Sequence, residues 1–486
     1  MFWFLKHLKR IFKNKALKQD IMAEKTNVIL IVMDTARYKN FPFYSYKKNT
    51  APNLTALLKD SVLYTDCYST SPWTLPSHAS LFSGQYVSSH GCNEKNKYFS
   101  PDVSTLPEVL EENGYETIAV SSNSWISPAF GFGRGFKSFS KVWQIFQTES
   151  DFTKLHTEHS DKPAVTKILI GLRMLFKDFF RNVVNAVYEK FLYKKYDYGA
   201  RRANKIAKST LRKAKSPFFL FINYLEPHLK YLPPRNFRRF LEVPYPEAMK
   251  INQDAWKYVF KKIEMPGRDF EILEQLYDCE IFYLDYRIGE LIDFLKKAGA
   301  YDNSMVIITS DHGENIGDHN MMDHQYCLYN TLLKVPLIIK YPQELNLKNK
   351  KNNGLVQLND IFPTILDALK IKNSQSKSIQ GTSLLSGRKR EFGFAEYLWP
   401  QPKKEAITRH LGTVDFSPFE HSLVSVFSKK YKLIERSDGR DEMYNLEKDS
   451  SEKNNIIHKN KKPALALKHR MRQFKKGIYP CERDKI

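Results

Sequence analysis

Cysteine is scarce in this chain and poorly placed for pairing. There are five, Cys67, Cys92, Cys279, Cys327 and Cys481, and no two are spaced as CxxC. An odd count at irregular spacing argues against a disulfide framework and for free thiols in a reducing compartment. Long apolar runs are missing as well. No stretch reaches the ~20 residues of a spanning helix, and the apolar start before Lys6 falls short of the ~7–15 of a signal peptide. The chain is therefore expected inside the cell, in the cytoplasm. There is no internal repeat, and no zinc-finger spacing, RNP-like aromatic motif or single basic helix of the kind that would make nucleic acid the expected partner. Acidic residues are in deficit too. Asp+Glu number 53 against 76 Lys+Arg, a formal net charge of +23, which favours anionic partners such as a phospholipid surface or an acidic glycan.

Apolar material is ample. Hydrophobic residues make up 42% and aromatics 14% of 486 residues, which excludes a disordered chain and supports a large core. At the N-terminus, Leu5, Leu8, Phe12 and Ala16 fall on one helical face, with Lys6, Lys9, Arg10 and Lys13 around it. Residues 1–25 are predicted to form a basic amphipathic helix. It either docks on its own domain or lies, through residues 1–20, on the inner face of an anionic membrane.

Further on, NVILIVMD from Asn27, ETIAVSSN from Glu116, PFFLFINYLEPH from Pro217, SMVIITSDHGEN from Ser304 and VPLIIKYP from Val335 are continuous apolar runs. Such runs mark strands buried on both faces, as in parallel sheets. Helical patterns separate them, among them NLTALLKD, TLPEVLEENG and YRIGELIDFLKKAG. This alternation predicts an α/β fold, a doubly wound and mostly parallel sheet flanked by helices. The domain is placed at 26–415, with a basic helical insertion at 141–215. A small C-terminal α+β subdomain follows at 416–486, where LVSVF, KYKLIER and a third short strand pair around a turn at Asp438-Gly439.

In open α/β sheets, polar residues at the carboxyl ends of buried strands point into one crevice. Asp34 and the pair Asp311-His312 occupy such ends, and two carboxylates with an imidazole suit a divalent cation: Mn, Mg, Ca or Zn. Thr74, in SPWTLPSHASLFSG, would complete that set. Ser77 is predicted to cap a helix opening at His78, which puts Thr74 about one turn before a helix N-terminus, where an anion is favoured. A cation at its oxygen would lower the hydroxyl pKa.

Taken in order, NVILIVMDTAR, the segment from NTAPNLTALLKD through SPWTLPSHASLFSGQYVSSHG, FFLFINYLEPHLKYLPP, ITSDHGENIGDHNMMDHQYCLY and YKLIERSDGRDEMYNLEKDSSEKNN resemble the sulfatase family of the alkaline phosphatase superfamily. The resemblance runs from about Asn27 to Asn455. It implies an alkaline-phosphatase-like fold and one divalent metal held by Asp34, Asp311 and His312, with Thr35 where a second aspartate often stands. It also implies His228 as a general acid near the leaving group, and His324 beside the place of a substrate-binding lysine. Each of these two histidines could instead be a structural hydrogen-bonder. His78, Asn123 and Gln325 are placed with the substrate.

The family's nucleophile is Cys or Ser, oxidised to formylglycine in a C/S-x-P-S-R motif. This chain has Thr74-Leu75-Pro76-Ser77-His78 instead, and Ser122-Asn123-Ser124 where Lys-x-His is common. The β-methyl group of threonine would limit oxidation to a ketone, so no formylglycine is expected. A threonine-nucleophile variant is implied, a hydrolase or transferase of phosphate or sulfate esters on an anionic glycan or lipid head group. A sulfuric ester hydrolase working without formylglycine, and a catalytically silent relative that binds acidic polymers, are the alternatives.

Overall fold

The apolar runs become the middle of one sheet. The structure, a computed structural model, describes residues 25–148, 165–166, 169–171, 178–193, 197–372 and 378–477. The predicted amphipathic helix at 1–25, apart from Lys25, lies outside the described residues, as do Cys481 and much of the 141–215 insertion. Cys67, Cys92, Cys279 and Cys327 are buried free thiols. Among the described residues, no helix is long and apolar enough to cross a membrane.

The strands are β1 (Asn27–Met33), β2 (Val62–Tyr68), β3 (Glu116–Ser121), β4 (Ser138–Lys141), β5 (Phe218–Tyr224) and β6 (Ser304–Ser310). A two-residue hairpin follows, β7 (Asn315–Ile316) and β8 (Met322–Asp323), then β9 (Lys334–Lys340) and β10 (Lys350–Gln357). Eight of these form a sheet in the order β10-β2-β9-β6-β1-β5-β3-β4. β1 pairs in parallel with β5 and β6, Leu30 lying opposite Phe221 and Ile307. β9 runs antiparallel to both of its neighbours. The sheet is therefore mixed and mostly parallel. Strand direction is not encoded in apolar composition, so VPLIIKYP reads as one more strand but not as a reversed one.

β1, β5 and β6 are buried at every residue. Because successive side chains point to opposite faces, Val28, Leu30 and Val32 join one apolar cluster while Ile29, Ile31 and Met33 join the other. The Thr74–Ser83 helix closes the first cluster and the Gly267–Lys297 helix the second. Each fully buried large aliphatic side chain contributes about 1.5–3 kcal/mol to this three-layer stack. The Ala200–Leu211 helix, counted above in the basic insertion, belongs to the same stack. Ala200, Ala203 and Ala207 are buried in the second cluster, and the basic residues sit on its other faces.

A second, antiparallel sheet follows in the order β11 (Gly393–Tyr397), β12 (Leu423–Phe427), β13 (Tyr431–Arg436) and β14 (Glu442–Asn445). The last two join at Asp438-Gly439, where Gly439 takes φ +81°. A subdomain starting at 416 would omit β11, its edge strand, which pairs with β12 from the far side of a long connection. Lys432 and Glu452, both buried, hold this sheet to the main domain. The Lys432 ammonium lies 2.7 Å from Glu452 Oε1 and donates to Asn330 Oδ1 at 3.0 Å, and the Asn330 N–H donates to Glu452 Oε2 at 2.6 Å. Removing one partner strands the other charge in the interior, so Lys432→Met is expected to cost about 3–5 kcal/mol. Urea unfolding checks this, and a loss under ~1 kcal/mol would contradict it.

Candidate active site

The helix that carries Thr74 begins one turn earlier than the sequence suggests. It spans Thr74–Ser83, with Trp73 extended before it and Gly84 at φ +71° after it. Ser77 is therefore not the cap. Pro76 sits in the first turn, where an N–H would have no intrahelical acceptor, so proline loses nothing there. Ser77 instead donates to the Asp311 carbonyl at 2.6 Å, tying the helix to the end of β6. Thr74 thus opens the helix, beside its own first-turn N–H groups, rather than one turn ahead of them.

Four adjacent strands, β6, β1, β5 and β3, deliver their C-terminal residues to one place. Asp34 follows β1, Asp311 and His312 follow β6, Asn223 is the last residue but one of β5, and Asn123 follows β3. The Asn123 amide donates to Asp34 Oδ2 at 2.6 Å, and its own oxygen accepts the Trp125 N–H. Ser310 Oγ lies 2.6 Å from both the Met33 and the His312 carbonyl, to which its one proton can be given in turn, and it accepts the Ala36 N–H, so it clamps the two strand ends together. The ring of His312 is set by Gly313. Its Nδ1 lies 2.9 Å from the Gly313 carbonyl, which can only accept, so the proton is on Nδ1 and the Nε2 lone pair is directed away. Only glycine fits at 313, since a Cβ there would come within 2.0 Å of the Thr331 carbonyl. On the other side, His312 Nε2 lies 3.3 Å from Thr74 Oγ1, 3.4 Å from Asp311 Oδ2 and 3.9 Å from Asp34 Oδ1.

Asp34 Oδ1 and Asp311 Oδ2 are buried and accept no hydrogen bond. Burial, together with Asp311 beside it, raises the Asp34 pKa well above the carboxylate range, and burial pushes Asp311 to about 7. Burial and the neighbouring His324 hold His312 neutral. Two unsatisfied carboxylate oxygens and an imidazole lone pair, their ligating atoms all within 4.8 Å of one another, form a donor set that a divalent cation fits. Thr35, in place of a second aspartate, contributes through its backbone. At φ +59° its N–H donates to Asp311 Oδ1 at 3.2 Å.

Above Thr74 opens a cavity of about 1030 Å³, lined by Thr74, Asn123, His228, His324 and Gln325 among others. His324 differs from His312 in charge. Burial opposes ionisation, yet Asp323 Oδ1 at 2.6 Å and Glu314 Oε1 at 3.4 Å outweigh it and raise its pKa well above the imidazole range. Adjacent imidazoles, with ring centroids 4.5 Å apart, are thus split into one neutral and one cationic group, the second suited to anionic oxygens. His228 lies 5.1 Å from His324 between ring centroids, and its Nδ1 donates to the Leu229 carbonyl at 2.6 Å. Gln325 bridges Asp323 and the Trp256 indole.

His78 departs from its expected place with the substrate. It is fully buried behind the helix, its Nδ1 on the Thr74 carbonyl at 2.9 Å, between the rings of Phe132 and Phe221. Burial lowers its pKa to about 4, so it is a neutral packing group that fixes the helix start. Sequence reasoning missed Ser310, Asn223, Glu314 and Asp323. The last two stand within two residues of His312 and His324, a proximity that could have flagged them.

The Sulfatase family model matches residues 26–371. The chain belongs to the sulfatase family. A model described as N-sulphoglucosamine sulphohydrolase, C-terminal, matches residues 317–477 of this sulfatase-family chain. Among curated relatives, the N-acetylglucosamine-6-O-sulfatase of Bacteroides thetaiotaomicron is 22% identical, over 90% of this chain and 83% of its own. The choline-sulfatase of Rhizobium meliloti is also 22% identical, over 90% and 84%. Of solved structures, the phosphonate monoester hydrolase of Agrobacterium radiobacter superposes with a TM-score of 0.69 at 18% identity, covering 93% of this chain and 96% of that one. A protein in complex with its substrate D-glucosamine-2-N,6-O-disulfate gives 0.68 at 18%, covering 95% and 100%. These superpositions bear out the alkaline-phosphatase-like fold, with its central sheet flanked by helices and its small C-terminal antiparallel sheet.

Proposed function

We propose that this sulfatase-family chain is a metal-dependent hydrolase of sulfate esters on a glycan, with the unmodified Thr74 hydroxyl as its nucleophile. The observation that carries this reading is the position of Thr74 Oγ1. It lies at the start of the first helical turn and 3.3 Å from His312 Nε2, and Thr74 lines the same cavity as His228 and His324. The family match and the sulfatase relatives support the ester class.

A divalent cation held by Asp34, Asp311 and His312 would supply positive charge that acidifies the Thr74 hydroxyl and draws off anionic charge. The chain does the rest. Thr74 Oγ1 forms a bond to sulfur, and its proton leaves toward solvent or an adjacent base. The His324 imidazolium and the helix N-terminus offset charge on the non-bridging oxygens. His228, with Nδ1 already committed to the Leu229 carbonyl, can give a proton from Nε2 as an imidazolium when the ester C–O–S bridge breaks on the sulfur side. Water then attacks the sulfur of the Thr74 ester, the bond from sulfur to Thr74 Oγ1 breaks, sulfate leaves, and Oγ1 takes up a proton to restore the hydroxyl.

A phosphate-ester reading, by hydrolysis or by transfer to an alcohol, has one observation in its favour. The superposition on a phosphonate monoester hydrolase is in keeping with it. Purified protein with manganese, offered 4-nitrophenyl sulfate, phosphate monoester and phosphodiester, decides between the two. Sulfate and phosphate adducts have nearly the same mass, so the protein is exposed to each substrate separately, and intact mass with peptide mapping shows which ester leaves its adduct on Thr74. A sulfate adduct supports the first reading, a phosphate adduct the second, and turnover in a protein never modified at Thr74 overturns both.

A further inference from the structure

The cavity above Thr74 is larger than one ester group needs, and on its outer wall Lys95, Lys97, Lys403 and Arg409 outnumber the acids Glu94 and Glu405. Lys97 and Lys403 lie near enough for each other's charge to be felt, and Arg409 lines the same wall. Among the described residues, none of the three forms an ion pair with a carboxylate. Lys97 is half-buried, its ammonium 5.2 Å from the centre of the Trp125 ring. Burial first and Lys403 second lower its pKa to about 8. The one acid that acts on it, Glu94, is buried, engaged with the Trp73 indole at 2.8 Å, and itself raised by burial to about 7.

A second cavity, of about 860 Å³ between the β13–β14 turn and the Lys461–Lys475 helix, is different. There Arg436 pairs with Asp438 and Glu442, Arg440 with Asp438, and Lys468 with Asp441. An excess of cations over acids in a concave site is a place for an anion. The indoles of Trp125 and Trp256 flank this one, and flat apolar faces suit a pyranose ring.

We propose that the outer half of the active-site cavity is a second anion subsite. In it Lys97, Lys403 and Arg409 hold a sulfate or carboxylate on a sugar next to the one cleaved, and Trp125 supports the ring between them. The subsite rests on the glycan-ester reading and narrows it to oligosaccharides that carry at least two acidic groups.

The test is a binding measurement that needs no turnover. Full-length Thr74→Ala protein with manganese is titrated by calorimetry with a heparin-derived tetrasaccharide, and in parallel with vesicles of phosphatidylglycerol. Adding Lys97→Ala and Lys403→Ala is expected to weaken tetrasaccharide binding at least tenfold. A control carrying Arg440→Ala and Lys461→Ala, with the same charge removed at the other cavity, is expected to bind as before. Equal weakening in the control, unchanged binding in the Lys97/Lys403 protein, or no tetrasaccharide binding at all would overturn the subsite. So would vesicle binding lost through the same two lysines. Failure of the wild type to turn over any ester would sink the catalytic reading yet leave this titration readable.

Discussion

Thr74→Ala is expected to lower ester turnover by at least about a thousandfold while leaving the fold and cation uptake in place. Removing a nucleophile that forms a covalent intermediate costs this much or more, because nothing else in the cavity can take over its bond. The structural loss is small. The hydroxyl makes a 3.3 Å contact to His312, and a neutral hydrogen bond of ordinary quality is worth about 1 kcal/mol. Asp34, Asp311 and His312 remain, so a manganese titration followed by thermal melting should give the wild-type response. Thr74→Ser restores a hydroxyl at the same Cβ and should recover turnover to within about tenfold of wild type. If alanine at 74 retains activity, the oxygen attacking the ester comes from elsewhere, and the mechanism drawn from this site is wrong.

The second large effect concerns charge at the floor of the site. Asp311→Asn should make the cation-free protein more stable and the protein as a whole unresponsive to cation. In the wild type, burial raises the Asp311 pKa to about 7, far above the ~3.9 of an unfolded aspartate. The native state therefore binds the proton more tightly than the unfolded state. Its contribution is fully present below about pH 4 and lost as pH rises through 7. Asparagine keeps an oxygen for the Thr35 and His312 N–H groups, which now bond Asp311 Oδ1, and removes the buried charge. In chelator at pH 8 the variant is expected to melt a few degrees above wild type, corresponding to about 1–3 kcal/mol. At pH 5 that gap should shrink. Adding manganese at pH 8 should raise the wild-type melting temperature and leave the variant's where it was. Equal cation responses in the two proteins would remove Asp311 from the ligand set.

Much of this site could be read from the chain because its pieces are local. Asp34 and Asp311-His312 each end an unbroken apolar run, and a run of that kind has to be a buried strand with its polar end at the sheet's edge. The roles of the histidines were less legible, since a histidine's charge depends on what surrounds it. His312 and His324 are one residue type in one loop region, yet two carboxylates make one a cation and burial keeps the other neutral. His78 stands where the family motif has arginine and was placed with the substrate, but Phe132 and Phe221 enclose it. The helix start was misplaced for a simpler reason. Proline reads as a helix boundary in sequence, although the first turn tolerates it.

By itself, then, the order of residues determined the layered α/β architecture, the three side chains that could hold a cation and the hydroxyl beside them, since hydrophobic period and strand ends are properties of short segments. Three things were left to the tertiary structure: the reversed β9, the division of labour between neighbouring imidazoles, and the meeting of Lys97, Trp125, Trp256, Lys403 and Arg409 around one cavity. Each depends on distances between segments far apart in the chain, and on how much water remains between them. Folding decides such quantities, and composition does not.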